Sequence, residues 1–422
     1  MPGPAPSCSF CDSSAMSEIM DFGRVALAGG FLRPEHFADE ETYPLRVYFC
    51  RECFAVQLID KVSANVLFGD YFYFSSSIRT LREHFQEYAA EVTSRFLTPG
   101  TSTVIEFGCN DGILLRPLAD QQIRTVIGVD PATNVVKTVD DPRVTVINDF
   151  FTEAVAEEIA ARHGKADLVM ANNVYAHIPD IQGVTRAVRS VLKEDGVFVF
   201  EVHYLGKVIN GMQYDMIYHE HLYYYSLLSA MKHFDRYDMM VFDIKPVPIH
   251  AGSMRFYVCK KASEHAQFVS DAVTELRDQE LARGFHLPET FARFAADVAE
   301  RKTDLMALLN QLSADGKRVA GYGASGRANT MIQYCGIDHG DIEYMIDDAP
   351  AKAGFYTPGS HFLIHPSTVL EQGPAPDYML IFAWSFFEEI AQKNRSYVEN
   401  GGQMIVPLPE VRIMPSRLAG TR

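Results

Sequence analysis

The stretch STVIEFGCNDGILLRPL, residues 102–118, decides how the rest of the chain is read. Its first half, STVIEFG, alternates too little for a half-exposed strand and is apolar enough for a strand buried on both faces. Its second half, GCNDGILLRPL, opens a helix. Between them Glu106, Gly108 and Gly112 form E-x-G-x-x-x-G on a strand-to-helix turn. Glycines at such a turn let a ligand come close to the backbone. Asn110 stands where a dinucleotide G-x-G-x-x-G would carry its second glycine.

Working outward, the same pattern repeats. Upstream, residues 78–97 (IRTLREHFQEYAAEVTSRFL) place Ile78, Leu81, Phe85, Tyr88, Ala89 and Val92 on one helical face. Downstream, TVIGVD ends at Asp130, 24 residues after Glu106. RVTVIND ends at Asp149, followed by Phe150 and Phe151. ADLVMANNVYAHI ends in Asn173 and His177. DIQGVTRAVRSVLK is an amphipathic helix, and GVFVFEV is a fifth strand. Alternating strands and helices of this length predict a parallel, doubly wound α/β sheet. Its ligands lie at the carboxyl ends of the strands, where all these polar residues fall. Asp130 is placed to accept from ribose hydroxyls, and Asp149 beside Phe150 suits an adenine. A cofactor without a pyrophosphate, S-adenosylmethionine, fits this turn better than a dinucleotide. The set Glu106, Gly108, Asn110, Asp130, Asp149, Phe150 and Asn173 is therefore the expected cofactor site. Taken singly, Asp130 also reads as a turn residue and Asp149 as a helix N-cap.

Toward the N-terminus, Cys8 and Cys11 (CSFC) pair in spacing with Cys50 and Cys53 (CREC), separated by a 38-residue insert. Two C-x2-C knuckles complete a tetrahedral zinc site, and four sulfur ligands make it structural. The insert is long enough to carry its own strands. The alternative is four unrelated buried cysteines. Cys109, Cys259 and Cys335 are unpaired in sequence and read as small apolar core residues.

After the fifth strand comes YDMIYHEHLYYYS, residues 214–226, with five tyrosines, two histidines and two acids. Ser226 is a candidate cap for the helix LLSAMKHF. On an extended chain His219 and His221 point one way and Glu220 the other. A structural role as core suits two or three of Tyr223, Tyr224 and Tyr225. Metal ligation by H-x-H lacks a third ligand at a recognised spacing. The remaining reading is acid–base chemistry, with Glu220 orienting a histidine and Tyr218 steadying an oxyanion.

Residues 268–281 and 291–312 have three-four apolar spacing and read as long amphipathic helices for core packing or subunit contact. KRVAGYGASGRANT then opens a second α/β unit, in which Gly321, Gly323 and Gly326 do form G-x-G-x-x-G, with Asp347 one βαβ length later. Arg327 and Lys352 are candidate charge partners for phosphates there, or surface cations. Pro358-Gly359 sets a tight bend. Trp384, the only tryptophan, follows the strand YMLIFAW and lines a cleft or packs in the core. Residues past about 412 show no pattern and read as a tail.

The bulk numbers constrain the partners. The chain has 422 residues, 47% hydrophobic and 22% charged, enough for two to four domains with sizeable cores. A net charge of −16 with no basic patch argues against nucleic acid or anionic membrane as partner. The longest clusters, KK at 260–261 and RKTD at 301–304, are short. No apolar run reaches bilayer length. The start MPGPAPSCSF has neither a basic nor an apolar region, so a cytoplasmic, reducing compartment is expected.

Several of these stretches together resemble one family: CSFC and CREC, DYFYFSSS, REHF, EFGCNDGILL, ANNVYAHIP, GVFVFEVHYLG, YDMIYHEH, PIHAGSMRFYV, GYGASGRANT, YTPGSHF and FAWSFFEEI, spanning residues 8–390 in order. They are similar to the S-adenosylmethionine-dependent sugar C-methyltransferases of deoxysugar biosynthesis, which act on nucleotide-linked keto-sugars. The resemblance implies a zinc-binding domain (1–68), a class I Rossmann-like methyltransferase domain (69–245), a Rossmann-like C-terminal domain (246–415) and a tail (416–422). It implies His221 as the base, Glu220 and Tyr218 in support, and His177 with Tyr73, rather than Tyr71, at the sugar. His219 and His250 fall with the substrate residues. Some members carry Asp at the position of His219 and others share YHEH, which leaves open the histidine nearer the acceptor. It also implies that the C-terminal glycine turn holds part of the nucleotide-sugar. The rival class is a nicotinamide-dependent oxidoreductase, resting on G-x-G-x-x-G; an interaction protein built on the zinc domain is the bland alternative. Acceptor carbon, nucleotide and oligomeric state have no signature in the residues.

Overall fold

The computed structural model describes residues 6–63, 66–67, 74–249 and 251–414, with the Ser77 side chain left aside. It divides into two compact units. The first takes residues 1–17, 48–206 and 222–288; the second takes 18–47, 207–221 and 289–422. The zinc-domain insert is indeed built of strands, β1 (Met16–Ala26) and β2 (Thr42–Cys50), ahead of β3 (Val56–Leu58).

The first unit holds the sheet read from the glycine turn. Its strands are β4 (Thr103–Phe107), β5 (Thr125–Val129), β6 (Val144–Ile147), β7 (Ala166–Asn172) and β8 (Leu192–His203), all parallel. The two-residue β9 (Tyr223–Tyr224) pairs with β3. The main sheet then gains β10 (Met239–Val247) and β11 (Ser253–Lys260), antiparallel, for an order β10-β11-β8-β7-β4-β5-β6. It thus runs to Lys260, past the 245/246 division that the resemblance implies. Strand order reverses between β4 and β7, so their carboxyl ends flank the crevice.

The helix Arg79–Phe96 buries Leu81, Phe85, Tyr88, Ala89 and Val92, as its spacing predicts. Ile78 is different: it is the N-cap residue and stays 38% exposed, because the helical face begins one turn later. Thr152 and Asp180 cap the helices Glu153–His163 and Ile181–Val191 by accepting from Val155 and Gly183 N–H.

The second unit carries another doubly wound sheet: β12 (Val319–Tyr322), β13 (Met345–Ile346), β14 (Ile364–His365), β15 (Tyr378–Ile381), β16 (Gln403–Val406) and β17 (Arg412–Met414), in the order β14-β13-β12-β15-β16-β17. Its first five strands are parallel and β17 is antiparallel to β16. The supposed tail therefore begins with a strand; three residues on a sheet edge are too few to show a period. Ala320, Tyr322, Ile346, Met379, Ile381 and Met404 pack in its core. The fold is α/β with two Rossmann-like sheets, as expected from sequence.

Candidate functional site

At the crevice of the first unit, Glu106 is buried and its Oε1 accepts from Asn172 Nδ2 at 2.9 Å. Gly108, at φ +68°, has no space for a side chain: a Cβ would stand 2.7 Å from the side chain of Val174. Asp130 supports the turn from the end of β5. Its Oδ2 accepts from Asn110 N–H at 2.9 Å and its Oδ1 from Ala132 N–H at 2.8 Å. The turn reading of Asp130 is thus satisfied, with lone pairs remaining on each oxygen. Asp149 is exposed and accepts from Phe150 N–H. It is not an N-cap, since Thr152 fills that place. Phe150 is 45% exposed, while Phe151 is buried and stacks on Phe107 at 4.6 Å.

This crevice fits a ligand rich in donors. Glu106 Oε2, Asp111 Oδ1 and Asn173 Oδ1 are buried and find no hydrogen-bond partner among the described residues. S-adenosylmethionine brings an ammonium, two ribose hydroxyls and an adenine amino group, all donors. Burial pushes the Glu106 carboxyl up to about 8, the Asn172 amide working against it and the charges of Asp130 and Asp111 with it. His177 sits in the turn after β7, its N–H bonded to Val174 O, and burial lowers its imidazole to about 4.

Sequence patterning does not reveal two polar contributors here. Ser75 and Ser76 dock on the glycine turn: Ser75 N–H donates to Asn110 Oδ1 at 3.0 Å and Ser76 N–H to Asp111 Oδ2 at 3.1 Å. The serines of DYFYFSSS are the one available signal. Behind the sheet, Glu201 at the end of β8 pairs with Arg255 Nη2 at 2.9 Å and with His84 Nε2 at 3.0 Å.

The four cysteines come together in the same unit. Their sulfurs lie within 4.8 Å of one another, with Cys8–Cys53 at 3.4 Å and Cys11–Cys50 at 3.6 Å. Four thiolates on a tetrahedral zinc stand about 3.8 Å apart, given Zn–S bonds of about 2.3 Å. Gln57 Nε2 and Phe10 N–H donate to Cys8 Sγ, a second layer suited to a thiolate ligand.

The tyrosine-histidine segment divides between the units at 221/222. Tyr223, Tyr224 and Tyr225 are all buried, and Ser226 caps the helix Leu227–Asp235 in a capping box with Ser229. Residues 218–221 are not extended, as an H-x-H pointing one way requires, but turn: His221 N–H bonds to Tyr218 O at 2.9 Å. The histidines therefore part. His219 Nε2 donates to Pro44 O at 3.1 Å, with Tyr43 edge-on to its ring. His221 Nδ1 donates to Met216 O at 2.8 Å, since a carbonyl only accepts. In the neutral ring Nε2 is then the basic nitrogen, and it takes the Tyr218 hydroxyl at 2.9 Å. The group that orients His221 is the Met216 carbonyl, not Glu220. Glu220 lies near the Ala28-Gly29 turn, and burial raises its carboxyl to about 7.

Three family models match in series: a zinc binding domain over residues 8–68, a methyltransferase domain over 81–241 and a C-methyltransferase C-terminal domain over 248–409. The C-methyltransferase NovU of Streptomyces niveus is 35% identical over 412 residues, 97% of each chain. The chain belongs to the S-adenosylmethionine-dependent C-methyltransferases.

Solved structures similar to part of this C-methyltransferase include the magnesium protoporphyrin IX methyltransferase ChlM of Synechocystis PCC 6803 with bound SAH, 14% identical, with a TM-score of 0.33 over 46% of this chain and 91% of that one. The CcbJ methyltransferase of Streptomyces caelestis is 13% identical, with a TM-score of 0.34 over 42% and 89%. The family decides between the two enzyme classes read from sequence in favour of methyl transfer, and its N-terminal cysteine cluster is a structural zinc site. Among the described residues no helix is long and apolar enough to cross a membrane.

The remaining substrate candidates of this C-methyltransferase are placed as follows. Lys352 Nζ donates to Ala324 O at 2.7 Å and pairs with Asp347 at 3.1 Å. Arg327 pairs with Asp215 at 2.8 Å, and the half-buried Trp384 bonds the same carboxylate. Tyr71, Tyr73 and His250 lie outside the described residues.

Proposed function

We propose that this C-methyltransferase methylates the carbon beside the ketone of a nucleotide-linked keto-deoxysugar, with His221 as the base. A carbon acceptor differs from an oxygen or nitrogen one in having no lone pair. It must first lose a proton, and the C–H next to a ketone is the acidic one. Bound S-adenosylmethionine supplies an electrophilic methyl group. The chain must supply a base for the proton, donors for the enolate oxygen and a fixed approach.

The observation that carries this reading is the Tyr218–His221 pair. Its Nδ1–H is committed to the Met216 carbonyl, so the lone pair sits on Nε2, already in contact with a phenol. His221 Nε2 takes the proton from carbon, and the Tyr218 hydroxyl turns to the enolate oxygen. His219, held by Pro44 O and Tyr43, is a substrate contact in this scheme, as are His177, Tyr73, Tyr71 and His250. Glu106, Gly108, Asn110, Asp130, Asp149, Phe150 and Asn173 hold the donor. The sugar and its nucleotide come from the sequence resemblance, and NovU, a C-methyltransferase by name, is consistent with them.

The test is product analysis with a panel of nucleotide-linked keto-sugars. Mass spectrometry should find a gain of one methylene only when S-adenosylmethionine is present. NMR should place the new methyl on carbon beside the ketone. A methyl on oxygen or nitrogen, or equal turnover of sugars lacking the ketone, would sink the proposal.

A further inference from the structure

A doubly wound sheet takes its ligand at the carboxyl ends of the strands, where strand order reverses. In the second sheet that point lies between β12 and β15, with β13 and β14 on one side and β16 and β17 on the other. The two turns there nearly touch: a Cβ on Gly323 would stand 2.7 Å from that of Ala383. The helix Gly326–Cys335 starts at this crevice, capped by Ser325. The G-x-G-x-x-G spacing predicts a nucleotide phosphate in it.

The group found there belongs to the chain. Asp215 is 0% exposed, and its Oδ2 lies 2.8 Å from Arg327 Nε, 2.8 Å from Arg327 Nη2 and 2.8 Å from Trp384 Nε1. Arg327 is the second residue of the helix, and Trp384 opens the turn after β15. The contact continues along that helix. Thr330 Oγ1 donates to Ile217 O at 2.8 Å, the Tyr214 ring packs on Tyr334 at 5.6 Å, and the Tyr214 hydroxyl lies 3.5 Å from Cys335 Sγ. At the helix start, a Cβ on Gly326 would stand 3.8 Å from the Tyr218 ring. Residues 214–218 thus lie along the helix that a bound nucleotide would use.

We infer that Asp215 acts as an internal ligand of the second Rossmann-like crevice, and that with Arg327 and Trp384 it is a positioning residue for the Tyr218–His221 pair. The crevice holds the catalytic turn in place of a dinucleotide. Met216 O, which fixes the His221 tautomer, is the neighbour of Asp215, so a shift of the carboxylate is passed directly to the base. This inference rests on the reading of His221 as the base.

The test uses D215N in the full chain. Trp384 is the only tryptophan, so its emission reports the Asp215 contact with no other signal. D215N should shift that emission, alter the 15N signature of His221 and lower kcat by roughly 100-fold, the cost of a misplaced catalytic group. KM for S-adenosylmethionine should stay at the wild-type value. Calorimetry should find no binding of NADH to the wild type. If D215N fails to fold, W384F removes one donor while keeping an aromatic ring, and should still lower kcat without moving that KM. Wild-type kcat in the variant that folds, an unshifted emission in D215N, or saturable binding of NADH by calorimetry would overturn the inference. Failure of the base assignment reads differently: His221→Ala would keep proton exchange at the acceptor carbon, while the emission and 15N changes of D215N would persist.

Discussion

Glu106 is a buried carboxyl with one oxygen bonded to Asn172 and the other without a partner among the described residues. Folding raises it from 4.5 to about 8, so the folded state binds the proton more tightly than the unfolded chain. The sign of the linkage follows. Ionising Glu106 costs the ligand-free protein nothing below pH 4.5; the cost grows from there and is complete above about pH 8. Glu106→Gln should therefore gain thermal stability relative to wild type as pH is raised from 5 to 9, and should lose affinity for S-adenosylmethionine by calorimetry. Parallel stability profiles would show that Glu106 is not protonated on folding. Glu106 was legible because a strand-end acid before a glycine turn is a local pattern. The distinction between His219 and His221 was not, since it depends on a single turn at 218–221 and on the carbonyls of Met216 and Pro44.

Among elements, the helix Leu227–Asp235 shows how local and distant residues share one task. Its Ser229 N–H is capped by Ser226 Oγ at 3.1 Å. Its Leu227 and Leu228 N–H groups both go to Glu280, at 2.8 Å each, and Glu280 also takes the Tyr204 hydroxyl at 2.9 Å. Ser226→Ala should cost about 1 kcal/mol, the usual worth of an N-cap. Glu280→Ala should cost more, because it leaves three buried donors without an acceptor. Urea unfolding followed by circular dichroism ranks the two; equal midpoints would contradict the geometry. The Ser226 cap was legible as a serine before an apolar run. Glu280 was invisible, lying about fifty residues downstream in a helix read only for its apolar face. The cysteine knuckles are the most local of all. Cys50→Ser should abolish stoichiometric zinc by elemental analysis and lower the melting temperature; full zinc content in that variant would remove Cys50 from the ligands.

For the molecule as a whole, the two units are not consecutive lengths of chain. Residues 207–221 leave the first unit and return to it, and residues 18–47 do the same. Periodicity reads strands and helices in series, so it shows both doubly wound sheets in order, while cysteine spacing shows the zinc domain. It could not show that a fifteen-residue excursion belongs with the C-terminal sheet. That knowledge lies in the contacts of Asp215, Ile217 and Tyr214 with one helix, more than a hundred residues away. In the proposed scheme His221 acts on the acceptor carbon and not on the methyl donor, so His221→Ala should bind S-adenosylmethionine as wild type does. The most direct test of the account is solvent exchange in deuterium oxide with a nucleotide-linked keto-sugar, comparing wild type with His221→Ala. Wild type should place deuterium on the carbon beside the ketone, and His221→Ala should lose this exchange by roughly 100-fold or more, the usual worth of a general base. Exchange at the wild-type rate in His221→Ala would contradict it.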